Sequence, residues 1–213
     1  MPSANAVTPG DASPAVHVID DDAALREALD SLFRSVGYAV RTYGSTAEFM
    51  ASGHATGSGC LVLDVRLPGG SGLDFQSQLA EAGVMMPVVL MTGHGDIPMT
   101  VRGMKAGAID FLPKPFREQD MLDAVATAMG KDALSRAERQ GSQDLRDKLE
   151  TLSPREREVM TRVATGKMNK QIAFDLELSE ITVKIHRGNA MRKMGAKNLA
   201  DFVKMAQTLK LSA

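Results

Sequence analysis

The sequence contains little cysteine, few aromatic residues and no long apolar run. Its 213 residues include one Cys, no Trp, two Tyr and seven Phe. A single cysteine excludes an intramolecular disulfide, which fits a reducing compartment. No stretch approaches the ~20 apolar residues that span a bilayer, and the first residues lack the basic and apolar regions of a signal peptide. These absences predict a cytoplasmic protein without a membrane segment.

Charge is distributed unevenly, although the whole chain carries a net charge of only −1. Residues 1–130 contain 8 Lys and Arg against 15 Asp and Glu, whereas residues 151–213 contain 12 against 6. An acidic part suits the binding of cations, and a basic part suits a polyanion such as nucleic acid. Charges also cluster by chance on solvated surfaces, so the asymmetry alone assigns no function.

Residues 1–14 are small, polar and proline-containing, and they predict a disordered tail. Residues 15–130 alternate short apolar runs with amphipathic stretches, which predicts an α/β doubly wound, five-stranded parallel sheet with helices on both faces. The predicted strands are Val16–Ile19, Ala39–Thr42, Leu61–Asp64, Val88–Thr92 and Asp110–Leu112. The predicted helices are Leu25–Val36, Thr46–Ala51, Leu73–Ala82, Ile97–Lys105 and Glu118–Met129.

The rest of the chain predicts a linker and a small all-α domain. Residues 131–150 are rich in charge, and they predict a partly helical linker that is interrupted near Gly141 and Ser142. Residues 151–213 predict four short helices, of which two are separated by a tight turn as in a helix-turn-helix. The predicted helix caps are Ser153, Asn169, Ser179, and Asn198 or a neighbour, with Gly166 as a helix stop.

Chemically reactive side chains follow four of the five predicted strands at their carboxyl ends. Taken alone, each has an ordinary explanation as a helix cap, a satisfied strand end or an exposed turn residue. The carboxyl ends of parallel strands meet at one edge of a sheet, where ligands bind, so we expect these side chains to share one pocket. They are Asp20 and Asp21 after the first strand, Asp64 at the third, Thr92 at the fourth and Lys114 after the fifth.

The chemistry of such a pocket follows from its charge. Three carboxylates that repel one another favour a hard divalent cation with oxygen ligands, for which Mg²⁺ is the usual choice. A carboxylate is a competent nucleophile toward phosphorus when a metal and a lysine neutralise the incoming charge. We expect Asp64 to be this nucleophile and Asp20 and Asp21 to hold the metal. Lys114 and the Thr92 hydroxyl then bind the phosphoryl oxygens.

Four motifs carry a resemblance to a known family. They are VHVIDDD (16–22), LVLDVRLPGGSG (61–72), VVLMTGHGD (88–96) and GAIDFLPKPF (107–116). With these motifs, residues 16–129 resemble the receiver domain of two-component response regulators. Residues 153–209 resemble the helix-turn-helix output domain of the LuxR/NarL/FixJ type, and TGHGD with DFLPKPF is similar to the FixJ branch.

The resemblance implies a role for each matching residue of the pocket. Asp64 is expected to take a phosphoryl group from a phosphohistidine on a sensor histidine kinase. The receiver then catalyses only its own phosphorylation and slow dephosphorylation. Mg²⁺ is expected to bind Asp20, Asp21, Asp64 and the main-chain carbonyl of Arg66. The bond between Lys114 and the proline that follows is expected to be cis.

The resemblance also implies a switch and a homodimer. Thr92 is expected to move toward the phosphoryl group and Phe111 to follow it, whereas a packed core ring is the alternative interpretation of Phe111. The fourth helix, fifth strand and fifth helix, about residues 97–129, are then expected to pair in a phosphorylation-controlled homodimer. Release of the DNA-binding domain is the alternative outcome, and RNA polymerase is a further candidate partner.

The segment SEITVKIHRGNAMRKMG (179–195) predicts a recognition helix for double-stranded promoter DNA. Its apolar residues Val183, Ala190 and Met194 fall on one face and are expected to pack inward. A generic basic surface helix is the alternative, but the second helix, the turn and the positive charge favour DNA. The residues predicted to contact DNA are Asn169, Thr182, Lys184, Ile185, Arg187, Gly188, Arg192 and Lys193.

Individual contacts of this helix follow from side-chain chemistry. Lys184 can read guanine edges in the major groove, and Ile185 can touch a thymine methyl group. Arg187 and Lys193 are better placed for phosphates. Gly188 departs from the family pattern, because many relatives have a larger polar residue there, and glycine inside a helix costs ~1 kcal/mol relative to alanine. It either lets DNA approach closely or reflects a different base preference.

Two other functions are weighed against the DNA-binding response regulator. A phosphoaspartyl phosphatase of the haloacid dehalogenase type also uses an Asp nucleophile, Mg²⁺ and a lysine, but its nucleophile normally ends the first strand within an Asp-x-Asp motif. A ligand-sensing relative with the same helix-turn-helix needs aromatic walls around its pocket, and this chain is only 4% aromatic.

Overall fold

The computed structural model describes residues 13–68, 70–93 and 97–211. The predicted disordered tail, apart from Ser13 and Pro14, lies outside the described residues. The chain divides into two compact units, Met1–Ser135 and Arg136–Ala213. Across the described ranges, the helices are all too short or too polar to cross a membrane.

The first unit is built on the predicted parallel sheet. Five strands pair in parallel in the order β2-β1-β3-β6-β7, and β4 and β5 form a separate antiparallel ribbon. The ribbon, which the sequence did not predict, lies directly after the third strand. The strands are β1 (Ala15–Ile19), β2 (Ala39–Tyr43), β3 (Gly59–Asp64), β4 (Arg66–Leu67), β5 (Gly70–Ser71), β6 (Val88–Thr92) and β7 (Asp110–Pro113).

Helices cover both faces of this sheet and form two apolar cores. Phe33 and Val125 pack with Val16 and Val62 on one face. Phe49 belongs to the core on the other face, with apolar residues of β3 and β6. The helices are α1 (Ala23–Ser35), α2 (Thr46–Ala51), α3 (Gly72–Glu81), α4 (Ile97–Lys105) and α5 (Glu118–Glu150), and a 3-10 turn spans His54–Thr56.

The prediction of an interrupted linker is wrong, because α5 runs without a break through Gly141 to Glu150. One glycine costs a helix only ~1 kcal/mol. Two side-chain hydrogen bonds lie around Gly141, from Gln140 to Asp144 and from Gln143 to Asp147. Each joins residues four apart, a spacing that supports helices. Leu145 also packs against the core of the second unit.

A buried carboxylate ties α5 to the sheet within the first unit. Asp132 is 2% exposed, and its Oδ2 accepts a hydrogen bond of 2.9 Å from the backbone N–H of Gly59, the first residue of β3. Gly59 has φ +129°, and a Cβ there would lie 1.8 Å from the carbonyl oxygen of Ala15. Only glycine fits at this position. The start of β3 is therefore held by the hydrogen bond to Asp132 on one side and by close contact with Ala15 of β1 on the other.

The second unit contains four short helices after α5. They begin largely as predicted: Ser153, Ser179 and Asn198 each accept a backbone N–H and cap a helix. Asn169 is wrong as a cap, because it is the first residue of its helix and Met168 stands before it. The backbone N–H of Met168 donates to Gln171 Oε1 at 2.9 Å instead. The helices are α6 (Pro154–Ala164), α7 (Asn169–Leu176), α8 (Glu180–Met194) and α9 (Leu199–Thr208).

The core of the second unit includes the predicted inward face of α8. Val183, Ala190 and Met194 are fully buried and belong to one apolar cluster. Beside it lies an ion pair that the sequence did not predict, in which Lys193 Nζ is 2.6 Å from Glu156 Oε2. The hydrogen bond from Lys193 lowers the pKa of Glu156, against the opposing effect of burial.

Candidate functional site

Three carboxylates meet at the carboxyl edge of the sheet. Asp20 follows β1 directly and is fully buried, Asp64 ends β3 and is 6% exposed, and Asp21 is exposed. One carboxylate oxygen of each lies within 4.8 Å of the others. The predicted cluster therefore forms, because parallel strands deliver their last residues to the same edge.

Lys114 joins this cluster from the loop that follows β7. Its Nζ lies 2.6 Å from Asp20 Oδ2 and 2.7 Å from Asp64 Oδ2. Burial acts to lower the pKa of Lys114, but the two carboxylates outweigh burial and raise it. Burial raises the pKa of Asp20, against the opposing hydrogen bond from Lys114. The Lys114–Pro115 peptide bond is cis, as the family resemblance implied.

The remaining carboxylate oxygens are held by backbone amides. Asp64 Oδ1 accepts the N–H of Arg66 at 2.9 Å, and Asp20 Oδ1 accepts the N–H of Asp22 at the same distance. These contacts fix the orientation of both buried carboxylates. A further residue, Arg26, was missed by the sequence reasoning: its Nη1 donates to the carbonyl oxygen of Asp20 at 2.6 Å. Its signal is weak, since an arginine one turn into a helix is ordinary.

The donor set of the cluster fits Mg²⁺. It offers hard carboxylate oxygens from Asp20, Asp21 and Asp64 within reach of one ion, which are the ligands that Mg²⁺ prefers. Three carboxylates also carry more negative charge than the single ammonium of Lys114 balances. A divalent cation at this place would compensate the excess.

The two predicted switch residues lie on neighbouring strands. Thr92 ends β6 and is fully buried, and its carbonyl oxygen accepts the N–H of Lys114 at 2.7 Å. Phe111 lies on β7 beside Leu90 and packs partly buried against one sheet core. Gly103 brings α4 close to this ring, because a Cβ there would lie 3.5 Å from Phe111 Cδ2 and 2.5 Å from Leu90 Cδ1.

On the second unit, the predicted groove-facing residues of α8 are exposed. Lys184, Ile185, Gly188 and Arg192 all face solvent, and a Cβ on Gly188 would meet nothing within 4 Å. The helix is long enough, at 15 residues, to present about four turns to a DNA groove.

Four of the residues predicted to contact DNA have partners within the second unit. Arg187 Nη1 donates to Asn169 Oδ1 at 3.0 Å, which joins α8 to the start of α7. Thr182 hydrogen-bonds through its hydroxyl with the Ser179 cap at 2.8 Å. Lys193 is engaged in its ion pair with Glu156, so its contact with DNA stays a prediction that competes with this pair.

Comparison with known proteins agrees with both halves of this arrangement. Residues 16–126 match the family described as response regulator receiver domain, and residues 150–206 match the family described as bacterial regulatory proteins, luxR family. Nodulation protein W of Bradyrhizobium diazoefficiens is 54% identical over 198 residues, which cover 93% of this chain and 87% of that protein.

Solved structures give the same result. The structure of the response regulator StyR is similar with a TM-score of 0.83 at 45% identity, over 92% of this chain and 99% of that one. Full-length FixJ from B. japonicum is similar with a TM-score of 0.57 at 34% identity, over 94% and 98% of the two chains. These matches do not support the phosphatase alternative. The chain belongs to the family of transcriptional response regulators in which a receiver domain precedes a LuxR-type DNA-binding domain.

Proposed function

We propose that Asp64 is the phosphorylation site of this response regulator and that a sensor histidine kinase is the donor. The observation that carries the proposal is the convergence of Asp20, Asp21, Asp64 and Lys114 at one edge of the sheet. A carboxylate oxygen of Asp64 attacks the phosphorus of the phosphohistidine, the phosphorus–nitrogen bond breaks, and the imidazole leaves. The chain thereby catalyses its own phosphorylation. It also catalyses its own slow dephosphorylation, in which water attacks the phosphoryl group on Asp64.

Each neighbour of Asp64 has a part in this transfer. Lys114 pairs with a phosphoryl oxygen and so offsets its charge, and the Thr92 hydroxyl donates a hydrogen bond to another. Asp20, Asp21, Asp64 and the carbonyl of Arg66 would hold Mg²⁺, which supplies charge neutralisation for the incoming phosphoryl group. The amide of Arg66 keeps the Asp64 carboxylate oriented.

Phosphorylation is then read out through the switch residues. Thr92 moves toward the phosphoryl group, Phe111 follows, and α4 is displaced because Gly103 packs beside that ring. We assign homodimer formation to the surface of α4, β7 and the part of α5 up to residue 129. The exposed apolar side chains of Ile97 and Val101 on α4, at 82% and 45% exposure, support this surface.

The output is binding of promoter DNA by the second unit, in the cytoplasm. The residues that face the major groove are Lys184, Ile185, Gly188 and Arg192. Thr182 lies at the edge of this face of α8. Asn169, Arg187 and Lys193 contact phosphates and fix the register. RNA polymerase is the further partner that such a DNA-bound regulator would meet. The domain limits that we propose are residues 15–130 for the receiver, 131–150 for the linker and 151–213 for the DNA-binding domain.

Replacement of the acceptor tests the first half of the proposal. Asp64→Asn should abolish labelling by radioactive acetyl phosphate in the presence of Mg²⁺, while the circular dichroism of the chain stays unchanged. Asp74→Asn is a matched control, because Asp74 is an exposed acid of the same unit that pairs with Arg102. Retained labelling of the Asp64 variant would reject the assignment.

Replacement of a groove-facing lysine tests the second half. Lys184→Ala should weaken specific DNA binding by roughly 1–3 kcal/mol, as measured by fluorescence anisotropy. Lys204→Ala removes an equal charge from the exposed surface of α9 and should leave the specificity intact. Equal losses for both variants would contradict groove contact by Lys184.

Sedimentation tests the dimer. Addition of beryllofluoride, which stands in for the phosphoryl group on Asp64, should raise the dimer fraction of the full chain. Ile97→Ser should reduce that gain, since it removes the most exposed apolar side chain of α4. An unchanged monomer would point instead to release of the DNA-binding domain within one chain.

A further inference from the structure

The outer face of α8 carries two large aliphatic side chains that the described residues leave mostly exposed. Ile181 is 73% exposed and Ile185 is 57% exposed, and they lie one helical turn apart. The inward face of the same helix is already filled by Val183, Ala190 and Met194. Because removal of an isoleucine side chain from water is favourable, a pair left in water at a predicted binding face is a candidate contact.

The surroundings of this pair indicate what covers it. Lys184 lies between the two isoleucines in sequence and is exposed, and the segment 151–213 carries 12 Lys and Arg against 6 Asp and Glu. An apolar pair such as Ile181 and Ile185, on a basic surface, fits a polyanion that also presents apolar groups. In the major groove of DNA, the apolar group is the methyl of thymine.

We propose that Ile181 is a specificity-determining residue, and that Ile181 and Ile185 contact the methyl groups of two thymines in each half-site. The inference rests on the proposed DNA binding and names the base pairs that this binding selects. Ile181 is the second residue of α8, and the first turns of a recognition helix are those that reach base edges.

The spacing of the pair limits the spacing of the thymines. Residues four apart in a helix are separated by about 6 Å along its axis. Stacked base pairs are separated by about 3.4 Å. Two methyl groups that meet Ile181 and Ile185 therefore belong to base pairs that are adjacent or have one base pair between them.

Replacement of thymine by uracil tests the inference, because it removes the methyl group and nothing else. A specific site is first selected from random DNA with the full chain treated with acetyl phosphate. Each thymine of that site is then replaced singly by uracil. The wild-type chain should lose about fourfold in affinity at two positions no more than two steps apart, the value expected for one buried methyl group.

The variants assign each methyl group to a side chain. Ile181→Ala should remove the uracil penalty at one position, and Ile185→Ala should remove it at the other. Leu199→Ala is the matched control, since Leu199 is a 48% exposed aliphatic residue at the start of α9, and it should keep both penalties. All three positions are exposed, so the fold is expected to be unaffected.

The outcomes separate this inference from the proposed function. Sequence-specific binding without any uracil penalty would overturn the inference and leave DNA recognition standing. A penalty that persists in Ile181→Ala at both positions would remove Ile181 from the readout. Binding without any sequence preference would overturn both the inference and the proposed role of α8.

Discussion

The two units of the chain place their ionised side chains differently. In the first unit, Asp20 and Asp64 are buried around the ammonium of Lys114. In the second unit, cations such as Lys184 and Arg192 lie in solvent. Burial of charge costs folding free energy unless it is compensated. The first unit buries two acids around Lys114, and the second buries one acid, Glu156, beside Lys193. The proposed phosphorylation site thus has enclosed charge, whereas the proposed DNA-binding face has displayed charge.

Glycines in the two units show the same contrast. Gly59 is enclosed, and a Cβ there would run into the backbone of β1. Gly188 faces solvent on α8, where a Cβ would meet nothing within 4 Å. The first position allows only one residue type for reasons of folding. The second position has open space for a side chain, so its glycine is not required by the fold.

The largest expected effect comes from Gly59→Ala. The added Cβ would meet Ala15 O at 1.8 Å, and φ +129° is strained for any side chain. We expect the first unit to lose about 4 kcal/mol or more, the range of severe core disruption. Both tyrosines of the chain, Tyr38 and Tyr43, lie in this unit, so tyrosine fluorescence in urea reports its unfolding alone.

Gly130→Ala is the control for this comparison. Gly130 lies within α5 of the same unit, and a Cβ there meets nothing within 4 Å. Its replacement should raise stability by up to about 1 kcal/mol, through helix propensity. Similar losses for both variants would show that Gly59 is not enclosed as described.

The second expected effect is a difference in acid stability between the units. His17 is 2% exposed, with Nδ1 3.0 Å from the Tyr43 hydroxyl, and burial, followed by His54 and Arg41, lowers its pKa to about 4 from 6.5. Between pH 6.5 and 4 the folded unit therefore binds fewer protons than the unfolded chain, so the stability of the unit falls as pH falls. The loss should reach about 3 kcal/mol between pH 6.5 and 4, read by tyrosine fluorescence.

Glu156 gives the second unit a different pH window. Its pKa is lowered by the hydrogen bond from Lys193, so the stability that it contributes is present above pH 4.5 and is lost as the pH falls below that value. His17→Gln should flatten the decline of the first unit between pH 6.5 and 4, and Glu156→Gln should act on the second unit at lower pH. An unchanged slope in the His17 variant would contradict the assignment.

The smallest expected effect sharpens the comparison of glycines. Gly188→Ala should stabilise the second unit by up to about 1 kcal/mol, because alanine is the better helix former. If close approach of DNA explains the glycine, the same variant should bind its site more weakly at constant salt. Gly141→Ala in α5 is the control, with the same gain in helix propensity at a position that is also open. Unchanged affinity with altered base preference would favour the other interpretation.

The sequence predicted much of the sheet and the acidic cluster, because both depend on local pattern and topology. Apolar runs located five strands within about two residues, and the rule for parallel strands brought Asp20 and Asp64 together. The caps Ser153 and Ser179 were also predicted, since a cap and the amide that it accepts lie three residues apart.

What the sequence did not reveal depends on partners far away along the chain. Gly141 predicts a helix break, and the packing of Leu145 against the apolar core of the second unit adds to the local hydrogen bonds that support the continuous helix. The pair of Glu156 and Lys193 joins residues 37 positions apart, and the bond from Gly59 to Asp132 spans 73. No periodicity or spacing encodes such contacts, because their partners are selected by the folded geometry.

The bond between Asp132 and Gly59 limits which rearrangements of the first unit are favourable. A carboxylate enclosed by protein that loses a donor incurs a cost of about 1–3 kcal/mol. The strand that ends in Asp64 thus begins at an anchor to α5, and a conformational change that keeps the anchor is favoured by that amount. On the other face of the sheet, α4 packs beside Phe111 at Gly103, and motion there has to keep or break the hydrogen bond of 3.5 Å from Gln76 Nε2 to the Gly103 carbonyl.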